Sequence, residues 1–219
     1  GIAMFKYHLI KDIFICAIFM TFVYVGWFGF NHYIHKMDRF EKSLTEMGTG
    51  ISIDNQRKAK IQKGTEMIMS RNPKLPYEVA INYSETFVDE ADKYTNVDFV
   101  LLVSIASQES AFKDSAQSLV GAKGIMQIMP MTAMNMCEYL RMTYSDSLLY
   151  DAKYNIRLGA RYVNQLMTRF NNDTAAVIAA YNGGESAGAR FKVGKPVFDE
   201  TANYVKRVLA FKKEYSKLL

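Results

Sequence analysis

The first apolar pattern in the chain is a long run near its beginning. Residues 13–30 form 18 consecutive positions without a charged side chain. As a helix, such a run is roughly 27 Å long, close to the hydrocarbon thickness of a bilayer. Trp27 and Tyr33 lie near one end, where aromatic side chains favour the membrane interface. The pattern predicts a transmembrane helix over residues 13–33.

A cleaved signal peptide is the alternative explanation of this run. The run is long for a signal peptide, and residues 31–36 contain no small-residue cleavage site, so an uncleaved anchor is favoured. Lysines flank both ends, and the charge distribution therefore does not decide the orientation. Residues 1–12 form the segment before the anchor. Residues 1–3, which precede Met4, are set aside as a remnant that need not belong to the natural chain.

A second, spaced apolar pattern follows in residues 34–75. Its apolar side chains recur at alternating intervals of three and four, at Met37, Phe40, Leu44, Met47 and Ile51. This heptad-like spacing lasts about two heptads, fewer than a coiled coil normally needs, and an amphipathic helix on the domain or the membrane surface explains it equally well. A basic cluster in residues 57–63 could touch anionic lipid or form a solvated face. Pro73 and Pro76 end this helical stalk.

From Pro76 onward the spacing of apolar residues is helical almost throughout, and no convincing alternating run predicts a strand. Pro130 is expected to open a helix, and Asp151 and Asp173 to cap two others. The sequence Asn182-Gly183-Gly184 is expected to end a helix, because these residues tolerate positive φ. The predicted fold is an all-α domain over residues 76–219, with at most a short hairpin.

One helix of this domain carries a carboxylate in an unexpected place. The i, i+3, i+4, i+7 stripe of a half-buried helix begins at Phe99, behind a Thr95-x-x-Asp98 capping arrangement, and its continuation reaches Glu109. Desolvation there would favour the neutral carboxyl, which a general acid requires. An ion-paired or helix-end glutamate is the structural alternative, and position alone favours it.

Charge narrows the possible functions. The net charge of +5 comes from residues 1–75, which hold 11 Lys and Arg against 6 Asp and Glu, whereas residues 76–219 hold 16 of each. The domain is therefore neutral, and it has no stripe of basic and aromatic residues. We predict no nucleic-acid partner.

The positions of the histidines and cysteines exclude further classes of active site in the domain. His8, His32 and His35 all precede the domain, which excludes a Ser-His or Cys-His nucleophile and a histidine zinc site within it. Cys16 lies in the apolar run and Cys137 on a predicted helix, so no disulfide between them is expected, and Cys137 is interpreted as a small buried apolar residue. We predict no metal and no cofactor. Catalysis by a carboxyl group is the chemistry that remains possible in the domain.

The sequence around Glu109 resembles a known signature. A Glu-Ser pair is followed nine residues later by Ser118, and residues 121–133 read Gly-Ala-Lys-Gly-Ile-Met-Gln-Ile-Met-Pro-Met-Thr-Ala. Residues 180–184 read Ala-Tyr-Asn-Gly-Gly and residues 200–205 Glu-Thr-Ala-Asn-Tyr-Val. These motifs resemble those of the soluble-lytic-transglycosylase (SLT) family, over roughly residues 85–215, with Ile125 where leucine is commoner. The resemblance implies a lysozyme-like fold and cleavage of peptidoglycan.

The resemblance also implies a mechanism. Glu109 would protonate the glycosidic oxygen between N-acetylmuramic acid (MurNAc) and N-acetylglucosamine (GlcNAc), then remove the proton from the muramyl C6 hydroxyl, which attacks C1. The product would be a 1,6-anhydromuramyl end, formed without water. Most glycosidases use two carboxyl groups, whereas this motif contains one; Asp114, the nearest other carboxylate, lies in a sequence that predicts a surface loop.

Residue by residue, the resemblance implies a substrate-binding set of Ser110, Ser118, Met126, Gln127, Tyr181, Asn182 and Glu200. Some of these have a structural alternative. Ser110 could equally serve a tight helix contact, and Met126 could equally be a core residue. Glu200 is favourable at a helix start for its own sake, and the glycines of the motifs are expected to serve backbone geometry.

Three functions are compatible with the sequence. The favoured one is a membrane-anchored lytic transglycosylase, a lyase acting on peptidoglycan glycan strands. A goose-type-like muramidase, which uses water, would share the fold and the acid. A non-catalytic peptidoglycan-binding subunit of an envelope-spanning secretion, conjugation or phage assembly would not need Glu109. The substrate that the resemblance implies would place the chain in the bacterial inner membrane, with residues 1–12 in the cytoplasm and the domain on the outer side.

Overall fold

The computed structural model describes residues 2–218, apart from the side chains of residues 2–10, 12 and 13. The side chains of His8, of most of the segment 1–12 and of Ile13, the first residue of the predicted anchor, therefore lie outside the described residues. The chain forms two compact units, residues 1–55 and residues 56–219.

The first unit is a single helix. It is the larger part of α1, which extends over Ile2–Arg71. Among the described residues this is the one helix long and apolar enough to cross a membrane, and the rest of the protein does not cover its most apolar stretch. Gly48 and Gly50 do not interrupt it. The helix predicted for the stalk is thus present, and it is continuous with the predicted anchor.

The second unit begins at residue 56, earlier than the expected domain start at residue 76, because the end of α1 belongs to its core. Ile61, Met67 and Ile68 are buried there. Gly64 lets α1 approach the next helix closely, and the Ser84 hydroxyl donates a hydrogen bond of 2.6 Å to the Ile61 carbonyl. About three turns of α1, from Ile61 to Arg71, are therefore part of the folded domain. As expected from Pro73, the helix ends just before it, at Arg71.

The remaining elements are helices, and the longest connection between them is the loop of residues 110–129. They are α2 (Tyr77–Ala91), α3 (Phe99–Glu109), α4 (Pro130–Leu140), a short 3₁₀ turn (Ser147–Tyr150), α5 (Ala152–Arg169), α6 (Thr174–Lys192) and α7 (Asp199–Tyr215). Between residues 2 and 218 no β-strand is present, only isolated bridges in the loop between α3 and α4. The all-α prediction is confirmed.

Short polar side chains start several of these helices, as predicted. The Asp151 carboxylate accepts a hydrogen bond of 2.7 Å from the Tyr154 amide, and Asp173 accepts one of 3.0 Å from Ala176. At α3, Asp98 itself is the N-cap and accepts from Val100, in place of the expected arrangement starting at Thr95. Pro130 is the first residue of α4.

The α3 helix lies at the centre of the domain, packed against α2, α5 and α7. Residues 99–107 are all buried, so the expectation of a half-buried helix was wrong: neighbouring helices cover every side of it. The predicted helix end at residues 182–184 is a break in α6 at Gly184 (φ 78°), after which the chain turns helical again as far as Lys192.

We expect Phe87→Ala to lower the free energy of unfolding of the detergent-solubilised chain by about 3–5 kcal/mol, because it leaves a cavity in the core. Phe87 has no exposed surface and meets Phe112 edge-on, with ring centroids 6.2 Å apart. The matched control is Phe198→Ala: Phe198 is 86% exposed, and its loss should change the free energy by less than about 0.5 kcal/mol. Urea unfolding followed by circular dichroism measures both; equal effects would contradict the described core.

Candidate active site

Glu109 is the last residue of α3, where the buried central helix reaches the surface of the domain. It is half-buried, whereas residues 99–107 before it are fully buried. Burial raises the pKa of Glu109 to about 7, and a hydrogen bond from Tyr204 opposes that rise. Near neutral pH the carboxyl group therefore exists in both protonation states in comparable amounts.

Tyr204, on α7, makes the direct contact with this carboxyl group. Its hydroxyl donates a hydrogen bond of 2.5 Å to Oε1 of Glu109. The ring is 3% exposed, and burial together with the Glu109 charge keeps the pKa of Tyr204 well above its ordinary value. The phenol is therefore a neutral, permanent donor that stabilises the carboxylate form of Glu109.

Three consecutive residues of α3 bond to α7, which fixes the alignment of the two helices. The Ser107 and Tyr215 hydroxyls lie 2.9 Å apart, and Arg207 donates a hydrogen bond of 3.0 Å to Oε1 of Gln108. Glu109 and Tyr204 form the third of these pairs. The hydrogen bond to Glu109 thus depends on the packing of two whole helices, rather than on one flexible side chain.

Tyr181, on α6, is the second tyrosine close to Glu109. Burial, and after it the Glu109 charge, raises the pKa of Tyr181 well above its ordinary value. Its hydroxyl donates a hydrogen bond of 2.8 Å to the Met126 carbonyl, and its ring lies 5.4 Å from that of Tyr162. Tyr181 thereby ties α6 to the loop between α3 and α4, beside the carboxyl group.

Asn155 holds that loop onto α5. This fully buried side chain accepts a hydrogen bond of 2.8 Å from the Met126 amide and donates to the Lys123 and Leu149 carbonyls, both at 2.9 Å. Gly124 has φ +80°, and a Cβ there would collide with the Leu149 carbonyl and the Asn155 amide. Only glycine fits this position, as expected for the glycines of the motif.

Three polar residues of the expected substrate-binding set make hydrogen bonds within the same loop. The Ser110 hydroxyl donates to the Ile125 carbonyl (2.7 Å), and the Ser118 hydroxyl accepts from the Ala122 amide (2.9 Å). The Gln127 side-chain amide donates to the carbonyls of Ala116 (3.0 Å) and Gly124 (2.8 Å). The three side chains fix the path of the loop; these bonds leave the Ser118 proton and the Gln127 side-chain oxygen unused.

Met126 differs from its expected place in a substrate groove. Its side chain has no exposed surface and packs against Gly159 of α5, where a Cβ would collide with its sulfur. The residue instead contributes through its backbone, whose amide and carbonyl bond to Asn155 and Tyr181. A methionine adapts well to such a confined place in a core.

Asn182 and Glu200 come from two different elements. Asn182 follows Tyr181 on α6, and its side-chain oxygen accepts a hydrogen bond of 2.9 Å from the hydroxyl of Thr201, on α7. Glu200 is exposed in the first turn of α7, one turn before Tyr204, where a carboxylate suits the positive end of the helix.

The hydrogen bonds of the domain thus bring together the Glu109 helix, the Ala-Tyr-Asn motif and the start of α7. Tyr204 and Asn155 were not among the residues expected from the sequence. Tyr204 belongs to the apolar stripe of α7 with Val205 and Val208 and so resembles a core residue. Two features of the sequence could have indicated its role: Tyr204 carries a hydroxyl group within an otherwise apolar stripe, and it belongs to the motif of residues 200–205.

Comparison with known proteins identifies the family. The sequence profile of the transglycosylase SLT domain matches residues 86–200, just over half of the chain. The chain belongs to the SLT transglycosylase family. Recognition of this family from the three motifs is confirmed, and with it the lysozyme-like, all-α character of the domain.

Individual relatives agree with this assignment. The soluble lytic murein transglycosylase of Escherichia coli is 37% identical over 127 residues, which are 52% of this chain and 20% of that protein. The membrane-bound lytic murein transglycosylase C of Mannheimia succiniciproducens is 31% identical over 134 residues, 57% of this chain and 36% of that protein. The structure of an inactive mutant of lytic transglycosylase Slt from Pseudomonas aeruginosa has a TM-score of 0.56 and 33% identity, over 60% of this chain and 23% of that one. The SLT chain thus spans between a fifth and about a third of these relatives.

We expect Tyr204→Phe to raise the pKa of Glu109 further above 7, by roughly half a unit to one unit, because the carboxylate loses a hydrogen-bond donor. A carbon-13 NMR titration of the glutamate carboxyl groups measures it. Tyr215→Phe is the matched control: Tyr215 is also a buried tyrosine of α7, but its hydroxyl pairs with Ser107. A lowered pKa in Tyr204→Phe, or the same shift in both variants, would contradict the described contact.

Proposed function

We propose that this SLT domain is a lytic transglycosylase that cleaves the β-1,4 bond between MurNAc and GlcNAc in peptidoglycan. The observation that carries the proposal is the hydrogen bond from the Tyr204 hydroxyl to the half-buried Glu109, whose pKa burial raises to about 7. A single group with a pKa near the working pH can give up a proton and take one back with comparable ease.

In the first step, protonated Glu109 donates its proton to the glycosidic oxygen. The bond between C1 of MurNAc and that oxygen breaks, and GlcNAc leaves with a hydroxyl group. Glu109 is now a carboxylate, and the hydrogen bond from Tyr204 stabilises it. The positive charge that develops on the muramyl ring lies close to this carboxylate, which lowers the energy of the transition state.

In the second step, the Glu109 carboxylate removes the proton from the C6 hydroxyl of the same muramyl residue, and O6 bonds to C1. The product is a 1,6-anhydromuramyl end, and Glu109 is again protonated for the next cycle. No water is consumed and no proton is gained or lost overall. Expulsion of water from the site therefore favours this route over hydrolysis.

The surroundings of Glu109 support a single-acid mechanism. A hydrolase of the usual kind needs a second carboxylate, within about 10 Å of the first, to activate water or to attack the sugar. Asp114, the carboxylate nearest to Glu109 in the sequence, accepts a hydrogen bond of 2.9 Å from the Tyr83 hydroxyl of α2. The Glu109 charge instead acts on two tyrosines, Tyr181 and Tyr204, whose pKa values burial keeps well above the ordinary value, so that both stay neutral.

We assign substrate contacts to polar atoms that the loop and helix contacts do not use. These are the side-chain nitrogen of Asn182, the Ser118 hydroxyl proton and the side-chain oxygen of Gln127. Glu200, exposed one turn before Tyr204, is positioned to contact a further part of the glycan. Ser110, Met126 and Tyr181 act on the substrate through the shape of the loop that they hold.

We expect Glu109→Gln to lower the rate of glycan cleavage at least about a thousandfold, since the amide cannot donate a proton as an acid does. The assay is digestion of purified peptidoglycan by the full chain, with mass spectrometry of the fragments. The matched control, Glu138→Gln, changes an exposed glutamate of α4 and should keep full activity. Wild-type fragments should carry 1,6-anhydromuramyl ends.

Each outcome of this digestion decides between functions. Reducing muramyl ends in the wild-type digest would instead identify a muramidase that uses water. Full cleavage by Glu109→Gln would contradict the role of the carboxyl group. Absence of cleavage by the wild-type chain, with binding to peptidoglycan retained, would favour a non-catalytic wall-binding subunit of an envelope assembly.

We further propose that residues 13–33 anchor the chain in the bacterial inner membrane. The helix is long and apolar enough, and one of the relatives is described as membrane-bound. Because peptidoglycan lies outside that membrane, the domain is placed on the outer side and residues 1–12 in the cytoplasm. This placement suits a housekeeping wall enzyme as well as a wall-opening enzyme beside a secretion, conjugation or phage assembly.

We expect the full chain to stay with membranes after alkaline extraction. Replacing Val23 and Val25 by arginine should release most of it, because each charge at the centre of the span costs about 2.5–3.5 kcal/mol. The same two arginines at Thr45 and Thr49, which are exposed on the stalk, are the matched control and should have no such effect. Release of the wild-type chain, or retention of the Val23 and Val25 variant, would contradict the anchor.

A further inference from the structure

The part of α1 after the predicted anchor has an apolar stripe without a partner in the first unit. This stalk stripe consists of Met37, Phe40, Leu44, Met47 and Ile51, which are between 45% and 62% exposed. Every other residue between positions 37 and 51 is polar or glycine. All apolar side chains of this stretch therefore lie on one line along the helix, at the a and d positions of a heptad.

The narrowness of the stripe indicates what kind of surface covers it. A helix that lies on a membrane or on a globular domain normally has an apolar face at least about 100° wide, whereas a stripe confined to a and d positions fits a second helix. The helix also continues without a break from the predicted anchor through the stalk stripe. A stalk lying flat on the membrane would need a bend between the two.

Charges beside the stripe indicate the identity and direction of that second helix. With Met37 at position a, Lys36 occupies position g and Glu41 the following position e. In a parallel pair of identical helices, g of one chain meets the following e of the other, so Lys36 faces Glu41 of the second copy, twice by symmetry. The other flanking positions, Ser43, Gly48 and Gly50, carry no charge that would repel.

We propose that the chain forms a parallel homodimer through the stalk stripe. The inference rests on the proposed anchor, which compensates for the shortness of the stripe. Two chains inserted in one membrane with the same orientation are already parallel and confined to a thin layer. Much of the orientational and translational cost of association is then met before the stalks touch.

The same heptad register extends into the anchor, where it places Gly26 at a d position and Cys16 at an a position. A glycine at a helix–helix contact within a membrane allows the two backbones to approach closely. Cys16 is a free thiol on this line, and Cys137, the other cysteine, is buried in the domain. Cysteine cross-linking can therefore report which face of the helix meets the second copy.

The test is oxidative cross-linking in native membranes, in a Cys16→Ser background. Met47→Cys places a thiol at a d position, and Thr49→Cys places one at position f, on the outer side of the proposed pair. We expect at least about ten times more disulfide-linked dimer from Met47→Cys, since the two thiols must come within a few ångströms of each other. Equal yields from the two variants would overturn the dimer.

Alkaline extraction of the same two variants separates the possible failures. Anchored protein with equal cross-linking refutes the dimer alone, and leaves the anchor in place. Protein released from the membrane refutes the anchor, and with it the dimer that depends on it. Neither result bears on the chemistry of Glu109, which the digestion of peptidoglycan tests independently.

A charge exchange tests the parallel pairing. With Met47→Cys as the reporter, Lys36→Glu and Glu41→Lys should each lower the cross-linking yield about two- to threefold at low salt. The double exchange, K36E with E41K, should restore it, because opposite charges again face each other. A helix lying on an anionic membrane would instead respond in opposite directions to the two single exchanges, because one lowers the net charge and the other raises it, whereas the parallel pair should be weakened by both. Failure of the double exchange to restore the yield would overturn the parallel register.

Discussion

The burial of α3 is the constraint on which the site depends. A helix covered on all sides brings its last residue, Glu109, to the edge of the core with little water around it, and this raises its pKa. The same packing aligns α3 with α7, so that Tyr204 meets the carboxyl group. The acidity of the group and its orientation therefore have a common origin in the stability of the core.

In the loop between α3 and α4, polar residues of the motif stabilise the backbone. The polar side chains bond to backbone groups: Ser110 and Gln127 donate to carbonyls of the loop, and Asn155 of α5 bonds to the Met126 amide and the Lys123 carbonyl. A loop with these internal bonds is rigid without a strand or a disulfide. Such rigidity would serve the proposed mechanism, in which one proton is given up and taken back and water is kept out of the site.

The two units of the chain follow different physical rules. In the domain, apolar residues meet each other and α1 ends as a core element through Ile61 and Ile68. In the first unit, apolar residues face outward, which suits lipid around residues 13–33 and a second helix along the stalk stripe. All three patterns occur in the single helix α1. Its sequence is first an unbroken apolar run, then a heptad spacing, and finally a set of apolar residues that are buried in the domain core.

Local rules let the sequence by itself determine the helices, the aspartate caps of α5 and α6 and the family, because spacing, capping and motifs are properties of neighbouring residues. Only the tertiary structure decided that Met126 is buried, that the domain begins before residue 76, and that Tyr204 and Asn155 belong to the site. These features join residues far apart in the chain: Glu109 and Tyr204 are separated by 95 positions. Their meeting is set by how whole helices pack, which no local pattern specifies.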